Sequence, residues 1–156
     1  MRIGLLSDTH GMLRPEATAF LQGCDHLIHA GDIVDAAILD RLRAIAPLTA
    51  VRGNNDFGPW ADDLHETERV ELGGVAIYVI HDLHQVPRDL AAAGVRVVVS
   101  GHSHKPLIEE RGGVLYANPG SCGPRRFTLP ISAAELTIDR GRVRGRIVEL
   151  VGPGRR

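Results

Sequence analysis

The stretch Ile3-Gly4-Leu5-Leu6-Ser7-Asp8-Thr9-His10 joins an apolar run to a polar cluster, and the same junction recurs along the chain. Ile3 to Leu6 reads as a buried strand, with Asp8-Thr9-His10 at its end. Outward from there, Pro15 to Leu21 reads as a helix with proline near its first turn, ended by Gly23. His26 to His29 is the next strand. Asp35 to Ile45 is the next helix, with Ile38, Leu39, Leu42 and Ile45 at helical spacing and Pro47 as its stop. Leu48 to Arg52 makes a third strand. The order β-α-β-α-β predicts parallel pairing with right-handed crossovers.

Beyond Trp60 the pattern turns to paired strands. Arg69 to Leu72 and Val75 to His81 flank the hairpin signal Gly73-Gly74. A short helix, Arg88 to Ala93, leads to the strand Val95 to Val99. Leu107 to Glu110 and Val114 to Tyr116 flank Gly112-Gly113, and Ile131 to Ile138 and Arg142 to Leu150 turn at Arg140-Gly141. These patterns predict one α/β domain over residues 1–151 with two packed sheets, and a frayed tail over 152–156.

Composition narrows the function classes. A chain of 156 residues is the size of one domain and can bury a sizeable core. Its 44% hydrophobic and 24% charged content is that of a soluble globular protein. A net charge of -1 gives no global reason to expect nucleic acid or an anionic membrane as partner. With 4% aromatics, a stacking platform for single strands is not expected. No apolar run approaches about 18 residues, and a strand opening at Arg2-Ile3 leaves no room for a signal peptide. Cys24 and Cys122 are isolated and read as buried reduced thiols, so the cytoplasm is the expected location.

Five apolar runs end in polar clusters: Asp8-Thr9-His10, Gly31-Asp32, Gly53-Asn54-Asn55-Asp56, His81-Asp82 and Gly101-His102-Ser103-His104. Ligands bind at the carboxyl ends of strands in parallel α/β sheets, so the five clusters are expected on one rim. Residues i and i+2 of an extended segment point the same way, which would aim Asp8 with His10, and His102 with His104, at one region. Gly31, Gly53 and Gly101 stand where a tight turn is expected to begin. Asp8, His10, Asp32, Asn54, His81, His102 and His104 form a mixed imidazole and carboxylate set. That set suits manganese, iron, zinc, cobalt or nickel better than calcium or magnesium. Seven donors exceed one four-coordinate ion and suit two ions sharing a bridging carboxylate. Two divalent ions, Asp8, Asp32 and a hydroxide leave about one net positive charge, which favours an anion such as phosphate.

The order D-x-H, GD-x-x-D, GN-x-D, H and GH-x-H resembles that of the calcineurin-like metallophosphoesterase superfamily. The small size and Asn118-Pro119-Gly120-Ser121 resemble its small bacterial and archaeal phosphodiesterase branch. The resemblance runs from Leu5 to about Ser121 and implies a four-layer α/β/β/α sandwich with two mixed β-sheets. It implies a first metal held by Asp8, His10, Asp32 and His104. Asp32 would bridge to a second held by Asn54, His81 and His102, with manganese the expected ion. Asp8, Asp32, Asn54 and His102 are the residues it implies for catalysis, with a bridging hydroxide attacking phosphorus. Two positions depart from the pattern. Asn55 stands where the wider superfamily often carries a histidine taken as leaving-group acid, or this branch a cysteine, and Asp82 stands in place of the usual glycine.

The expected activity is therefore hydrolysis of small or activated phosphodiesters, without a membrane partner and without favouring nucleic acid. A homo-oligomer is left open. The competing readings are a non-catalytic scaffold resembling the retromer subunit of this fold, and a nuclease or nucleotidase. A scaffold has no need of seven metal-ligating side chains. Among the remaining residues, His29 reads equally as a support for the site or a satisfied core histidine. His26, His65 and His84 read as structural or exposed. Asp35 and Asp56 read as orienting groups. Arg140, Arg142, Arg144 and Arg146 alternate on one strand face, which reads as a charged solvent face protecting the strand rather than as a nucleic-acid stripe. Arg125 or Arg126 is a candidate to reach a substrate phosphate.

Overall fold

Alternation along the first strand sets the layering of the molecule. In the computed structural model, which describes residues 1–152, β1 (Arg2–Leu6) sends Ile3 and Leu5 between two sheets and Leu6 towards the helices. α1 (Pro15–Leu21), β2 (His26–His29), α2 (Ala36–Arg43) and β3 (Leu48–Ala50) follow, and β1, β2 and β3 pair in parallel as the sequence predicts. α2 is shorter than Asp35 to Ile45 because Asp35 is its cap, its carboxylate accepting from the Ala37 N–H. β3 likewise ends at Ala50 rather than Arg52.

A four-residue helix, α3 (Pro59–Asp62), leads into the second sheet: β4 (Thr67–Leu72), β5 (Val75–Ile80), β6 (Val95–Val99), β7 (Leu107–Arg111) and β8 (Val114–Asn118). The chain then returns to the first sheet with β9 (Ile131–Asp139) and β10 (Arg142–Val151). The strand orders are β10-β9-β1-β2-β3 and β4-β5-β6-β8-β7, and both sheets are mixed. The main core lies between them, where Ile3, Leu5, Ile28 and Val51 meet Ile77, Val79, Val97 and Val99. Leu21, Leu27, Ile38 and Leu42 bury the helices on the outer face of the first sheet.

The fourth layer, outside the second sheet, is thin. Leu83, Val86 and Leu90 cover Ile80, Val98 and Val114 from a 3-10 turn at Leu83–Gln85 and a run of turns. The helix expected over Arg88 to Ala93 does not form as such; the segment is successive turns closed by bonds such as Gly94 N–H to Ala91 O. Three alanines favour a helix there, but a segment of six residues between Pro87 and Gly94 is too short to propagate one. The frayed tail falls mostly on residues 153–156, which lie outside the described residues. Among the described residues, no helix is long and apolar enough to cross a membrane.

Backbone passes closely over neighbouring strand ends at Gly53, beside Asp32 of the same sheet, and at Gly101, where the second sheet meets Ser7 of the first. Neither has positive φ, so the expected tight turn is not their reason. Space is. A Cβ at Gly53 would stand 2.2 Å from the Asp32 amide nitrogen, and one at Gly101 2.0 Å from Ser7 Oγ. By contrast, Gly113 (φ +79°) has nothing within 4 Å of such an atom. Gly53→Ala is therefore expected to cost about 3 kcal/mol or more, against about 1 kcal/mol for Gly113→Ala. Denaturant unfolding of both variants checks this, and equal losses would contradict the close-approach account.

A candidate metal centre at the strand ends

The five polar clusters follow β1, β2, β3, β5 and β6, and main-chain bonds stitch them together. Asp8 N–H donates to Gly31 O (3.0 Å), His10 N–H to Asp32 O (3.0 Å) and Gly101 N–H to His81 O (3.0 Å). The Asp56 carboxylate does most of the joining. Its Oδ1 accepts from the Ile33 and Val34 N–H groups (2.9 and 2.8 Å), its Oδ2 from Asp32 and Gly53 (3.0 and 2.8 Å). It fixes the loop after β2 against the loop after β3.

The backbone at the candidate ligands is not extended. Asp8, His10, Asp32, His102 and His104 have φ of 56°, 46°, 58°, 70° and 61°, the left-handed region that non-glycine residues seldom enter. The i and i+2 alternation assumed from the sequence therefore does not operate. Asp8 and His10 still converge, with His10 Nε2 3.7 Å from Asp8 Oδ1. His102 and His104 diverge. His104 Nε2 lies 3.3 Å from Asp8 Oδ1, whereas His102 Nδ1 lies 3.2 Å from both Asn54 Oδ1 and His81 Nε2. Each such residue costs of the order of 1–3 kcal/mol, held in place by the surrounding bonds.

The seven predicted side chains thus form two adjoining groups, and one atom faces both. Asp32 Oδ2 stands 3.5 Å from His10 Nε2 and 3.4 Å from His81 Nε2. Two donors bound to one ion at about 2.1 Å with tetrahedral angles are roughly 3.4 Å apart, the spacing seen here. Asp8, His10 and His104, and again Asp8, Asp32 and His81, bring ligand atoms within 4.8 Å of one another. Asp8 Oδ1 and His10 Nε2 are buried without a hydrogen-bond partner, as is His104 Nδ1. An oxygen and a nitrogen that face each other unpartnered fit a cation between them. His81 donates from Nδ1 to Ala30 O (2.7 Å), which leaves Nε2 as the free electron pair aimed at Asp32.

The electrostatics express the same demand. Burial pushes the Asp8 carboxyl upward, but His10, His104 and the Ser7 hydroxyl (2.7 Å) outweigh it and hold it far below the usual range. Burial also raises Asp32, yet His81 and two bonds from Asn55 bring it down to about 2. Burial lowers His81, but Asp32 and Asp8 reverse this and draw it towards protonation. Two carboxylates kept ionised and an imidazole pulled towards a positive charge mark a place suited to cations.

The surroundings sort the remaining residues. Asn55 is tied to Asp32: its N–H donates to Oδ1 and its side-chain amide to Oδ2, both at 2.9 Å. Asp82 opens the 3-10 turn, accepting from the His84 N–H and paired with its ring at 3.0 Å. Arg125 donates to Leu129 O within its own loop and to Gly152 O beyond β10, which ties it to main-chain carbonyls. Arg146 shares Glu135 with Arg2. Ser7 escaped the sequence reading, and Asn118 was read only as part of Asn118-Pro119-Gly120-Ser121, with no role of its own. Ser7 bonds Asp8, and Asn118 donates to Gly101 O and Ser103 Oγ, bracing the His102 loop. Nothing local to either residue signals that role. A cleft of about 350 Å³ opens over Asn54, His81 and His102, walled by Arg52, Glu66 and Gln85.

His29 is a satisfied buried histidine that supports the rim. Its Nδ1 accepts from the Gly31 N–H (3.0 Å) and its Nε2 meets Thr9 Oγ1 (3.1 Å), which donates on to Ile33 O. Burial holds its pKa down to about 4 against an ordinary 6.5. The unfolded chain therefore binds this proton first, so the contribution is complete above pH 6.5 and is lost as pH falls towards 4. Metal-free wild-type protein is expected to lose stability over that window more steeply than His29→Gln, measured by denaturant unfolding at each pH. Parallel curves would show that His29 is not held neutral. Separately, Asn55→Ala frees the Asp32 carboxylate and is expected to weaken metal binding about tenfold in competition titrations. Unchanged affinity would mean that Asn55 does not position Asp32.

Known proteins are similar to this chain in sequence and fold. The family model described as a calcineurin-like phosphoesterase superfamily domain matches residues 1–141. A probable metallophosphoesterase of Methanocaldococcus jannaschii is 37% identical over 152 residues, covering 89% of this chain and 77% of its own. The phosphodiesterase YfcE of Escherichia coli is 29% identical, covering 89% of each chain. The solved structure of an archaeal phosphodiesterase superposes with a TM-score of 0.78 at 27% identity, over 95% of this chain and 100% of that one. Vps29 of Entamoeba histolytica shares the fold, with a TM-score of 0.74 at 23% identity over 96% of this chain and 99% of that one. The match over most of the chain, on strand ends that carry the donors described above, places this protein in the calcineurin-like phosphoesterase superfamily.

Proposed function

We propose that the protein is a phosphodiesterase that works with two divalent metal ions, manganese foremost, on small or activated phosphodiesters. The observation that carries this reading is the position of Asp32 Oδ2 between His10 Nε2 and His81 Nε2. In it, Asp8, His10 and His104 would hold one ion and Asn54, His81 and His102 the other, with Asp32 able to serve both. Bound there, the ions supply Lewis acidity towards a phosphoryl oxygen and make water a competent nucleophile near neutral pH. Relatives named phosphodiesterase align over most of the chain, which supports the choice of diester.

The chain's own residues define what remains. Asn54 offers an uncharged oxygen, so its side of the centre keeps more positive charge for the substrate. His102 and Asn54 are exposed at the open cleft, where a substrate arrives, whereas Asp8 and His104 are buried behind them. Asn55 has no proton to transfer at neutral pH, and its amide is engaged with Asp32. Aryl esters, which leave as stabilised anions, suit such a site better than alkyl esters.

Chelated protein is expected to lose hydrolysis of bis(4-nitrophenyl) phosphate and to regain it with Mn²⁺. Dialkyl phosphates should react at least about 100-fold more slowly under the same conditions. Full activity in rigorously metal-free protein would overturn the reading, and efficient dialkyl cleavage would reveal a proton donor other than residue 55.

A further inference from the structure

A second cleft, distinct in chemistry, adjoins the metal centre on the other side of His102. It has a volume of about 330 Å³ and a mostly apolar surface formed by Leu83, Pro106, Leu107, Tyr116 and Ala117, with Lys105 and His84 also lining it. His102 and Asp82 line both this cleft and the polar one that holds Asn54 and His81. A group bound at His102 therefore has an apolar opening to one side and a polar, charged one to the other.

Two features set this cleft apart from leftover surface. Leu107 is 43% exposed on β7, an edge strand. Tyr116 is held in place by Arg111, whose guanidinium lies 4.4 Å from the ring centroid. The result is a fixed aromatic ring and an exposed aliphatic side chain beside a candidate ligand. The volume is at the lower end for small-molecule clefts, enough for one ring and its attached atoms.

We infer that this cleft receives one ester group of the substrate, and that the group is aromatic or otherwise flat and apolar. The inference rests on the phosphodiesterase reading. A diester carries two ester groups, and only one can enter the apolar side while the other faces Arg52, Glu66 and Gln85. The protein therefore selects diesters with at least one aromatic ester group. It does so by burying that group against Leu83, Leu107 and Tyr116, independently of how well the group departs.

Phosphinates separate binding from bond cleavage, because they keep the anionic phosphorus centre but have no ester bond. Calorimetry on the manganese-loaded protein should give diphenylphosphinate a Kd at least about tenfold lower than dimethylphosphinate, the scale expected for an apolar group in a matching pocket. In Leu107→Gln and in Leu83→Gln the ratio should fall towards unity; two variants guard against a folding defect in either. Equal affinities in the wild type, or an unaltered ratio in both variants, would overturn the inference. Hydrolysis of bis(4-nitrophenyl) phosphate by the same preparation separates the two claims. If it is cleaved while the phosphinates bind equally, the cleft assignment alone falls. If it is not cleaved, the phosphodiesterase reading falls, and with it the assignment of this cleft to a substrate.

Discussion

Three carboxylates are buried where the strand ends meet, and the way each one is satisfied divides scaffold from site. An ionised carboxylate cannot be taken out of water without compensation. Asp56 obtains it from four main-chain N–H groups and is complete in itself. Asp8 is compensated on one oxygen only, by Ser7 and the His102 N–H, and its other oxygen has no hydrogen-bond partner. Asp32 takes two bonds from Asn55 and turns one oxygen towards histidines on both sides. The first carboxylate assembles the loops. The other two, left partly uncompensated by the assembled loops, call for positive charge.

That division explains why a rigid sandwich and an unusual backbone coexist. The sheets fix the strand ends through ordinary alternation, as with Ile3 and Leu5 inward and Leu6 outward. The loops then depart from ordinary geometry at five of the seven candidate ligands, which adopt left-handed φ. Strain of this kind persists only where surrounding bonds over-determine it. Here those bonds come from Asp56, from Asn118 under the His102 loop, and from His29 beneath Thr9 and Gly31. The candidate donors are thereby placed by the fold itself, which would leave little reorganisation for an ion binding there.

Much of this was legible in the sequence because burial writes periodic patterns. The parallel β1-β2-β3 unit, the three hairpins and the five polar clusters follow from periods of two and 3.6 and from turn residues. What escaped was set by contacts between residues far apart in sequence. Gly53 and Gly101 looked like turn residues, but their lack of a side chain answers Asp32 and Ser7 in other loops. The i and i+2 rule sent His102 and His104 to one place, whereas left-handed backbone sends them to opposite sides of the centre. Asn55 looked like an empty proton donor's position, and its bonds to Asp32, 23 residues away, give it a positioning task as well. The helix over Arg88 to Ala93 failed for the converse reason: propensity was present, but the segment had too few residues to propagate.

The central claim is that Asp32 stands between two ions. Diffraction from crystals grown with Mn²⁺, recorded at the manganese absorption edge, tests it most directly. The account predicts two anomalous peaks roughly 3.5–4 Å apart, both in bonding contact with Asp32. One should be flanked by His10 and His104 and the other by His81 and His102. A single peak, or two peaks of which only one touches Asp32, would contradict it.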